Sequence, residues 1–453
     1  MNIDTSIFKE YDIRGTYNQD INEDIAYTIG RGYGSYLREK LNTSICVVGR
    51  DNRTSSLSLS NSLIKGITDS GCDCINFGQI TTPMHYLTRH INNTYGIMVT
   101  ASHNPKDDNG FKFSFDKLAN ARGEMIYEFR DYVLQGKFLE GKGKVIAKNI
   151  QNAYLEYMKK NIEMGDKKVK AVIDLGNGAT TCIAKEVHKL FPNLEITYIC
   201  DENDGTFPNH HPDPAVEENM EMLKQKVVEI NADVGIAYDG DGDRIGIVLE
   251  NGRYISADEY MILIIKDLLP KIENKTVLYD VKCSKSLEDE IRELGGTPYC
   301  YRTGTSYTEA KTKELNLSFG GEFSGHVFFN DRDYALGSGI YAGLRLMEIL
   351  SKTDKTLSEM LEDTTKYYST PEIKIATSNE KKFEIVEKML SYVKEKEYAY
   401  NDIDGVRVTF DEGWALVRAS NTGPNLTIRF EAQTQEYLEE LKKEFMDVLE
   451  GLL

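Results

Sequence analysis

The sequence predicts an α/β fold built from several domains. Three runs rich in β-branched residues each end in a polar or glycine-rich turn that opens a helical pattern; they are residues 44–48, 170–173 and 276–279. This succession is typical of strand-to-helix units that build parallel sheets. The three units differ too much in residue identity to be called repeats, but their shared layout predicts three similar α/β domains.

The chain is longer than one hydrophobic core usually organises. It has 453 residues, and a domain typically takes roughly 100–200 residues, so three or four domains are expected. The pattern breaks at a glycine- and lysine-rich stretch (141–144), an Asn-Gly turn (251–252) and a Ser-Thr-Pro segment (369–371). The predicted domains are therefore residues 1–145, 146–251, 252–368 and 369–453.

The last domain differs from the other three. It begins with an alternating polar and apolar segment, 372–375, which predicts a strand. It ends in a predicted helix whose apolar face consists of Tyr437, Leu441, Phe445, Val448 and Leu452. We expect its sheet to be antiparallel, which makes it an α+β domain.

The composition restricts the possible partners. The formal net charge is −18 and no cluster of Lys or Arg interrupts it, so nucleic acid is not an expected partner. There is no run of about 18 apolar residues and no basic leader followed by an apolar segment, so we expect neither a membrane span nor secretion. The seven cysteines are scattered, which predicts reduced thiols in a cytoplasmic protein.

An acidic loop, Asp239-Gly-Asp241-Gly-Asp243, lies between two predicted apolar strands, residues 233–238 and 245–249, and predicts a metal site. Three carboxylates at a spacing of two, with glycines that permit a tight turn, can converge on one hard cation. An EF-hand would also place a glutamate at Glu250, but its sixth position would be glycine rather than Arg244, and helices would flank it. Mg²⁺ fits a single acidic loop, because water and a substrate phosphate can complete its octahedron.

A serine loop follows the predicted strand 95–99. Ser102 in Thr-Ala-Ser-His-Asn-Pro stands at the carboxyl end of that strand, where open α/β sheets bind ligands. The hydrolase pattern G-x-S-x-G is absent, and this loop alone is equally compatible with a catalytic and a purely structural serine. The metal loop favours a phosphoryl carrier, because Mg²⁺ neutralises charge in phosphoryl transfer. Lys112 offers a cation or an acid/base group, and His103 could orient the loop.

Two further loops carry polar groups suited to a sugar phosphate. In residues 320–326, Glu322, Ser324 and His326 alternate, so an extended backbone would place them on one side. A carboxylate can accept two sugar hydroxyls, and an imidazole can act as a general acid or base, although the same residues also suit a solvated glycine turn.

The second of these loops, residues 418–425, lies between two predicted strands. Its guanidinium, hydroxyls, side-chain amide and backbone N–H groups could bind a phosphate, and Arg429 follows on the second strand. Its composition also suits a plain turn between strands.

Taken together and in this order, the four loops resemble the α-D-phosphohexomutase family over essentially the whole chain. In that family TASHNP carries the phosphoserine, DGDGDR the magnesium, GE-x-SGH the sugar hydroxyls and an RASNT-type loop the distal phosphate. The resemblance implies four domains around a central cleft, with a shared α/β core in the first three. It also implies Mg²⁺, hexose phosphate substrates, and glucose or mannose 1,6-bisphosphate as activator and intermediate, in a monomer or dimer.

The resemblance also implies roles for individual residues. Ser102 would be the phosphoryl carrier and, with Asp239, Asp241 and Asp243, would hold Mg²⁺, while Arg244 would border the site. Lys112 and His326 match the acid/base positions. The implied substrate contacts are Tyr11, Arg14, His103, Lys282, Thr305, Glu322, Ser324, Arg418, Ser420, Asn421, Thr422 and Arg429.

Two positions bear on the substrate. Phe323 gives the GE-[hydrophobic]-SGH form of phosphomannomutase/phosphoglucomutase members, whereas phosphoglucosamine mutases, which would act on an amino sugar, typically have GEQSGH. Related bacterial enzymes often have histidine where this chain has Thr305, which leaves the preference between mannose and glucose open. The four loops are also compatible with a phosphoserine-dependent sugar phosphatase and with a non-enzymatic sugar-phosphate sensor.

Overall fold

The computed structural model describes residues 3–117, 119–421 and 423–453, and within them the chain forms four β-sheets in succession. Each sheet is built from consecutive strands of one part of the chain, with helices packed against it. Within the same described residues, no helix combines the length and the apolar character that a membrane crossing requires. The predicted four-domain α/β architecture is confirmed.

The first sheet has six strands in the order β1-β5-β4-β2-β3-β6. Its strands are β1 (Ile13–Thr16), β2 (Ile45–Arg50), β3 (Asp73–Gln79), β4 (Tyr95–Val99), β5 (Asp108–Phe113) and β6 (Val145–Ala147). Its helices are α1 (Glu23–Lys40), α2 (Ser56–Asp69), α3 (Thr82–Asn92) and α4 (Glu124–Leu134). Strands β2, β3, β4 and β6 are parallel, whereas β5 pairs antiparallel with both β4 and β1.

The second sheet has the order β11-β10-β9-β7-β8. Its strands are β7 (Val169–Asp174), β8 (Leu194–Ile199), β9 (Val234–Tyr238), β10 (Ile245–Leu249) and β11 (Tyr254–Ile255), and its helices are α5 (Gln151–Asn161), α6 (Ala184–His188) and α7 (Glu221–Ile230). The helix predicted directly after β7 begins instead as a 3-10 turn, Ala179–Cys182, and α6 that follows has five residues.

The third sheet has the order β13-β12-β14-β15. Its strands are β12 (Thr276–Asp280), β13 (Thr297–Tyr301), β14 (Phe319–Gly321) and β15 (Val327–Phe329). Its helices are α8 (Ala257–Leu268), α9 (Lys285–Glu293), α10 (Thr305–Glu314), α11 (Gly339–Leu350) and α12 (Leu357–Met360). A capping box at Ser256 and Glu259 fixes the start of α8.

The fourth sheet is antiparallel throughout its described pairs, as predicted. Its strands are β16 (Tyr368–Ser369), β17 (Ile373–Ala376), β18 (Tyr400–Asn401), β19 (Val406–Phe410), β20 (Gly413–Ala419) and β21 (Asn425–Ala432), and its helices are α13 (Lys381–Glu395) and α14 (Gln435–Glu450). The buried face of α14 consists of Leu438, Leu441, Phe445 and Leu449. The predicted face is therefore shifted: Tyr437 and Val448 lie at its edge, and Leu452 lies beyond the end of the helix.

The first three sheets share one plan, which the sequence predicts only in part. In each sheet, three successive strands that are parallel to one another are followed along the chain by a strand that returns antiparallel: β5, β10 and β15. The prediction of parallel sheets is therefore correct for the strand-to-helix units and wrong for these returning strands, because a short connection cannot join parallel neighbours. Each short connection holds one of the predicted polar loops, and the fourth loop joins β20 to β21.

Apolar packing fixes these loops relative to one another. One continuous core includes residues of the first three domains, and α11 contacts β9 and β10 of the second sheet as well as β15 of the third. A smaller cluster of Val281, Trp414 and Leu416 joins the third domain to the fourth. The four hairpin loops can therefore meet at one place.

Candidate active site

Ser102 lies in the connection between β4 and β5, with its backbone in the left-handed region at φ +52°. Its N–H donates to Thr100 Oγ1 at 2.9 Å, and its side chain is buried. Ser102 Oγ lies 2.9 Å from Asp239 Oδ2 and 3.2 Å from His103 Nδ1. The serine loop of the first domain and the metal loop of the second domain are therefore in direct contact.

Arg53, which the sequence pattern does not single out, fixes the shape of the serine loop. Its guanidinium lies beneath the loop and donates at 2.6–3.0 Å to the carbonyl oxygens of Ser102, Asn104, Pro105 and Asp108. The fully buried carboxylate of Asp51 balances the charge of the guanidinium, with Oδ2 lying 3.3 Å from Arg53 Nε. Both residues come from the turn after β2, so two successive strand ends of one sheet build this loop.

The three aspartates between β9 and β10 are buried, and one oxygen of each lies within 4.8 Å of the others. Asp239 Oδ1 accepts the N–H groups of Gly242, Asp243 and Arg244 at 3.0–3.1 Å, which closes the turn. Gly240 is required because a Cβ there would lie 2.5 Å from the carbonyl oxygen of Ser102. The loop is thus shaped to hold its carboxylates against the serine.

Lys112 of β5 reaches into this acidic cluster. Its Nζ lies 2.9 Å from Asp241 Oδ2 and 2.7 Å from Asp243 Oδ2. Burial lowers the pKa of Lys112, but the two carboxylates outweigh it and hold the pKa well above its usual value. The ammonium is therefore retained.

The carboxylates differ in their surroundings. Burial and the charges of Asp243 and Asp241 raise the pKa of Asp239 well above its usual value. Burial also raises the pKa of Asp243, but Lys112 and His326 outweigh it and hold that pKa well below the usual range. Asp241 Oδ1 is buried with no hydrogen-bond partner among the described residues, although Oδ2 accepts from Thr82 Oγ1 at 2.7 Å. An unpartnered buried oxygen amid like charges fits an oxygen-liganded divalent cation.

The loop of residues 320–326, called the sugar loop below, forms a tight turn between β14 and β15, so the extended backbone considered from the sequence is not what places its side chains. The N–H of Glu322 donates to the His326 carbonyl at 2.8 Å, so the backbone reverses within five residues. The three predicted side chains still face one another: His326 Nδ1 lies 2.9 Å from Ser324 Oγ and 3.3 Å from Glu322 Oε2. The short connection between two antiparallel strands therefore brings these three side chains together.

His326 links this turn to the metal loop. Its Nε2 lies 3.1 Å from Asp243 Oδ1, while Nδ1 faces Glu322. Burial lowers the pKa of His326, but the two carboxylates raise it above the usual value. Glu322 also accepts the N–H of Gly304 at 2.5 Å, which fixes the start of α10, where the half-buried Thr305 stands.

The loop between β20 and β21 is held by Asp404 and Lys382, which the sequence pattern does not reveal. Asp404 accepts two hydrogen bonds from Arg418, from Nε to Oδ2 at 3.1 Å and from Nη2 to Oδ1 at 3.2 Å. Lys382 Nζ donates to the carbonyls of Ser420 at 2.7 Å and Gly423 at 3.1 Å. Thr422, also predicted to contact the substrate, lies outside the described residues.

Tyr11 connects three domains. Its hydroxyl donates to the Thr303 carbonyl at 3.0 Å and accepts a hydrogen bond from the Asn421 amide. Arg14, on the same N-terminal segment, donates to Asn104 Oδ1 at 2.7 Å and so meets the serine loop. Tyr11 thus brings the first, third and fourth domains together.

Arg244 and His103 border the serine. Arg244 Nη1 lies 3.7 Å from Asp213 Oδ1, and its Nε is buried without a hydrogen-bond partner in the described part of the chain. Burial, together with the positive charge of Arg244, lowers the pKa of His103 well below its usual value, so this imidazole is neutral.

Lys282 and Arg429 lie where the third domain meets the fourth. Lys282 Nζ pairs with Glu372 at 2.9 Å. The Arg429 guanidinium donates to the Lys282 carbonyl and lies 3.9 Å above the ring of Phe323. Arg429 therefore joins the third and fourth domains, because its face of β21 packs against the third domain.

Comparisons with known proteins agree with this arrangement. Four family models match consecutive parts of the chain: phosphoglucomutase/phosphomannomutase alpha/beta/alpha domains I (residues 5–140), II (152–252) and III (256–368), and the C-terminal domain (372–448). A phosphomannomutase/phosphoglucomutase of Pseudomonas syringae is 39% identical over 443 residues, which are 97% of this chain and 94% of that protein. A phosphoglucomutase of Neisseria gonorrhoeae is 38% identical, over 99% of this chain and 98% of its own.

A solved structure extends the similarity to the fold. The crystal structure of a phosphoglucomutase/phosphomannomutase family protein from Burkholderia thailandensis superposes with a TM-score of 0.92 at 34% sequence identity. The match covers 100% of this chain and 98% of that one.

Proposed function

Because this chain belongs to the phosphoglucomutase/phosphomannomutase family, we propose that it is a mutase that moves a phosphoryl group between positions 1 and 6 of a hexose. The substrate class is mannose and glucose phosphate, in keeping with the names of the relatives. The carrier is Ser102, which donates its phosphoryl group to the free hydroxyl of a hexose 1- or 6-phosphate. A bound 1,6-bisphosphate turns over, and its other phosphate returns to Ser102.

The observation that carries this proposal is the distance of 2.9 Å between Ser102 Oγ and Asp239 Oδ2. A serine beside three buried carboxylates is suited to carrying a phosphoryl group, because a cation bound there can offset the negative charge of the carboxylates and of the phosphoryl group. An acyl nucleophile would instead need an adjacent base that a third group orients. His103 lies 3.2 Å from Ser102 Oγ but makes no hydrogen bond to a carboxylate of the described residues that could orient it.

The residues around Asp241 Oδ1 fit Mg²⁺. Asp239, Asp241, Asp243 and a phosphate on Ser102 would hold it, because all four offer oxygen. When bound, Mg²⁺ neutralises charge on the transferring phosphoryl group. Lys112 contributes a second positive charge beside the same carboxylates.

Two groups hold protons next to the proposed transfer. Lys112 holds one at Nζ, and His326 holds one between Glu322 and Asp243. Carboxylates raise the pKa of both groups, which favours their protonated forms. In each half-reaction the departing oxygen takes up one proton and the attacking hydroxyl releases one. The residue that gives its proton to the departing oxygen can therefore accept the released proton and regain its charge, and the reverse reaction uses the same exchange.

The non-reacting phosphate binds the loop of the fourth domain. Arg418, Ser420 and Asn421 supply a guanidinium, a hydroxyl and an amide, with Thr422 as a further candidate from the sequence. The Tyr11–Asn421 contact joins this loop to the first domain, and such closure restricts water as an acceptor for the phosphoryl group. This favours the mutase over a phosphatase.

A coupled assay with mannose 1-phosphate, glucose 1-phosphate and glucosamine 1-phosphate, each with and without glucose 1,6-bisphosphate, tests the reaction and the substrate. We expect turnover of the first two and stimulation by the bisphosphate. Ser102→Ala should lose nearly all turnover, while Ser44→Ala, at an exposed serine of the same domain, should keep it. Wild-type activity in Ser102→Ala would overturn the proposed carrier.

Intact-mass measurement distinguishes a mutase from a phosphatase and from a sensor. Incubation with the bisphosphate should add one phosphoryl mass to the wild type and none to Ser102→Ala. Release of inorganic phosphate faster than isomerisation would instead identify a phosphatase. A protein that binds hexose phosphates but never acquires the added mass would be a sensor.

A further inference from the structure

Asp174, Cys200 and His210 form a second cluster of possible metal ligands, in the second domain. Asp174 ends β7, Cys200 follows the end of the neighbouring parallel strand β8, and His210 comes from the loop beyond it. One carboxylate oxygen, the sulfur and one ring nitrogen all lie within 4.8 Å of one another. The carboxylate is fully buried, whereas the imidazole is 14% exposed, so one side of the cluster opens towards solvent.

The imidazole of His210 is oriented for a ligand role. Its Nδ1 lies 2.9 Å from the His211 carbonyl oxygen, which can only accept, so Nδ1 carries the hydrogen. Its Nε2 lies 3.0 Å from Asp174 Oδ2. A lone pair at Nε2 would repel the carboxylate, so either a proton or a cation must lie between these atoms. In a metal-binding histidine, the ring nitrogen that does not bind the metal usually donates its hydrogen to a group such as a backbone carbonyl, which fixes the tautomer.

The carboxylate and the thiol are held in the same way. Asp174 Oδ1 accepts the N–H of Gly176 at 2.8 Å, which leaves Oδ2 for the cluster. Cys200 has a left-handed backbone at φ +47°, and its carbonyl accepts the Asn177 N–H at 2.8 Å. A non-glycine residue in this region costs roughly 1–3 kcal/mol and is maintained only by its surroundings. That conformation turns the sulfur towards Asp174 and His210.

We propose that Asp174, Cys200 and His210 form a binding site for a thiophilic divalent cation such as zinc, separate from the three-aspartate site. Sulfur, nitrogen and oxygen donors together suit zinc, whereas Mg²⁺ takes oxygen. Binding releases the thiol proton of Cys200 and any proton on His210 Nε2 to solvent. Three protein ligands leave a fourth, solvent-facing position for water.

The site would fix the segment that leads to Arg244, which borders the serine. This segment runs from Cys200 to Asp213, whose carboxylate lies 3.7 Å from Arg244 Nη1. Along it, Asn209 Nδ2 donates to Asn177 Oδ1 at 2.8 Å, and Asn52 of the first domain donates to the Asn177 carbonyl at 2.7 Å. A cation bridging β7, β8 and His210 would therefore stabilise the segment and its contact with the first domain.

Co²⁺ is the probe, because a cobalt–thiolate bond absorbs in the near ultraviolet and a cobalt–carboxylate bond does not. The full chain, stripped with a chelator and kept in excess Mg²⁺ to saturate the aspartate loop, is titrated with Co²⁺. We expect the charge-transfer band to saturate at one equivalent and to disappear on addition of Zn²⁺. Cys200→Ser should abolish the band, and His210→Gln should weaken Co²⁺ binding at least roughly tenfold.

Matched variants assign the band to this cluster. Cys182→Ser and Cys300→Ser, at two partly exposed cysteines outside the cluster, should leave it unchanged, as should Asp241→Asn in the aspartate loop. Circular dichroism checks that each variant is folded, and zinc should raise the thermal midpoint of the wild type but not of His210→Gln. Absence of the band in the wild type, or its persistence in Cys200→Ser, would overturn the proposal and leave the trio as a hydrogen-bonded cluster around a protonated His210.

Discussion

The guanidinium of Arg53 donates to the carbonyl oxygen of Ser102 at 2.7 Å, from a position with no exposed side-chain surface. The φ of +52° at Ser102 costs roughly 1–3 kcal/mol in a residue other than glycine. The three further carbonyls that Arg53 binds lie on the same loop, so one buried cation holds the strained serine in place. Arg53 is therefore a positioning residue for the proposed phosphoryl carrier.

Arg53→Lys should lower turnover by roughly 10- to 100-fold, because an ammonium keeps the charge but cannot reach four carbonyls at once and the serine shifts. Unsatisfied carbonyls should also lower the free energy of unfolding by about 1–3 kcal/mol. The rate of Ser102 phosphorylation, followed by intact mass, separates the two effects. Arg130→Lys, at a partly exposed arginine of α4, is the control, and equal rates in both variants would contradict the role.

Removal of the divalent cation should abolish turnover, and Mg²⁺ should restore it. Asp241→Asn should raise the Mg²⁺ concentration for half-activation by roughly 100-fold, because it alters the buried carboxylate with the unpartnered Oδ1. Asp267→Asn on α8 is the control. Unchanged Mg²⁺ dependence in Asp241→Asn would exclude this carboxylate as a ligand.

The proposed carrier and metal loops could be predicted because their information is local. Tyr95–Val99 and Ile245–Leu249 are apolar runs that end in turn residues, and both appear in the structure with the predicted bounds. The Asp-Gly alternation likewise places three carboxylates together through neighbours in the chain, whatever the rest of the fold does. Such patterns are readable from one sequence.

Arg53 and Lys382, which support the loops, could not be predicted, because the residues that they contact are distant in the chain. Arg53 lies 49 residues from Ser102, and Lys382 lies 38 residues from Ser420. Both donate to backbone carbonyls, which carry no side-chain signal. The contacts of Arg429 could not be predicted for a related reason: strand alternation gives the face of β21 on which this residue lies, but the packing of the domains decides that this face meets Phe323.

Lys382→Met should raise KM for the hexose phosphate roughly tenfold while kcat changes little. Methionine keeps the apolar stem of this buried side chain but leaves the carbonyls of Ser420 and Gly423 without their donor, which corresponds to about 1–2 kcal/mol. In the proposed mechanism the loop binds the non-reacting phosphate equally in ground and transition states, so the loss should appear in binding. Lys381→Met, at the exposed neighbouring lysine, is the control, and equal KM values in the two variants would contradict the role of Lys382.

The free energy of unfolding should decrease as the pH falls, because His188 is buried. This residue lies in the second domain, with Nδ1 3.0 Å from the Tyr198 hydroxyl. Burial lowers its pKa to about 4 from an ordinary value of 6.5. The folded state therefore binds this proton more weakly than the unfolded state, and the stability present above pH 6.5 is lost as the pH falls towards 4, by about 3 kcal/mol.

His188→Gln should remove that part of the pH dependence, because glutamine can still accept from Tyr198 but does not titrate. Urea unfolding at pH 8 gives the effect of the substitution alone, and the same measurement at pH 5 gives the additional proton-linked loss in the wild type. The two proteins should therefore be closer in stability at pH 5 than at pH 8, or should reverse in order. Parallel curves over this range would mean that burial does not suppress the charge on His188.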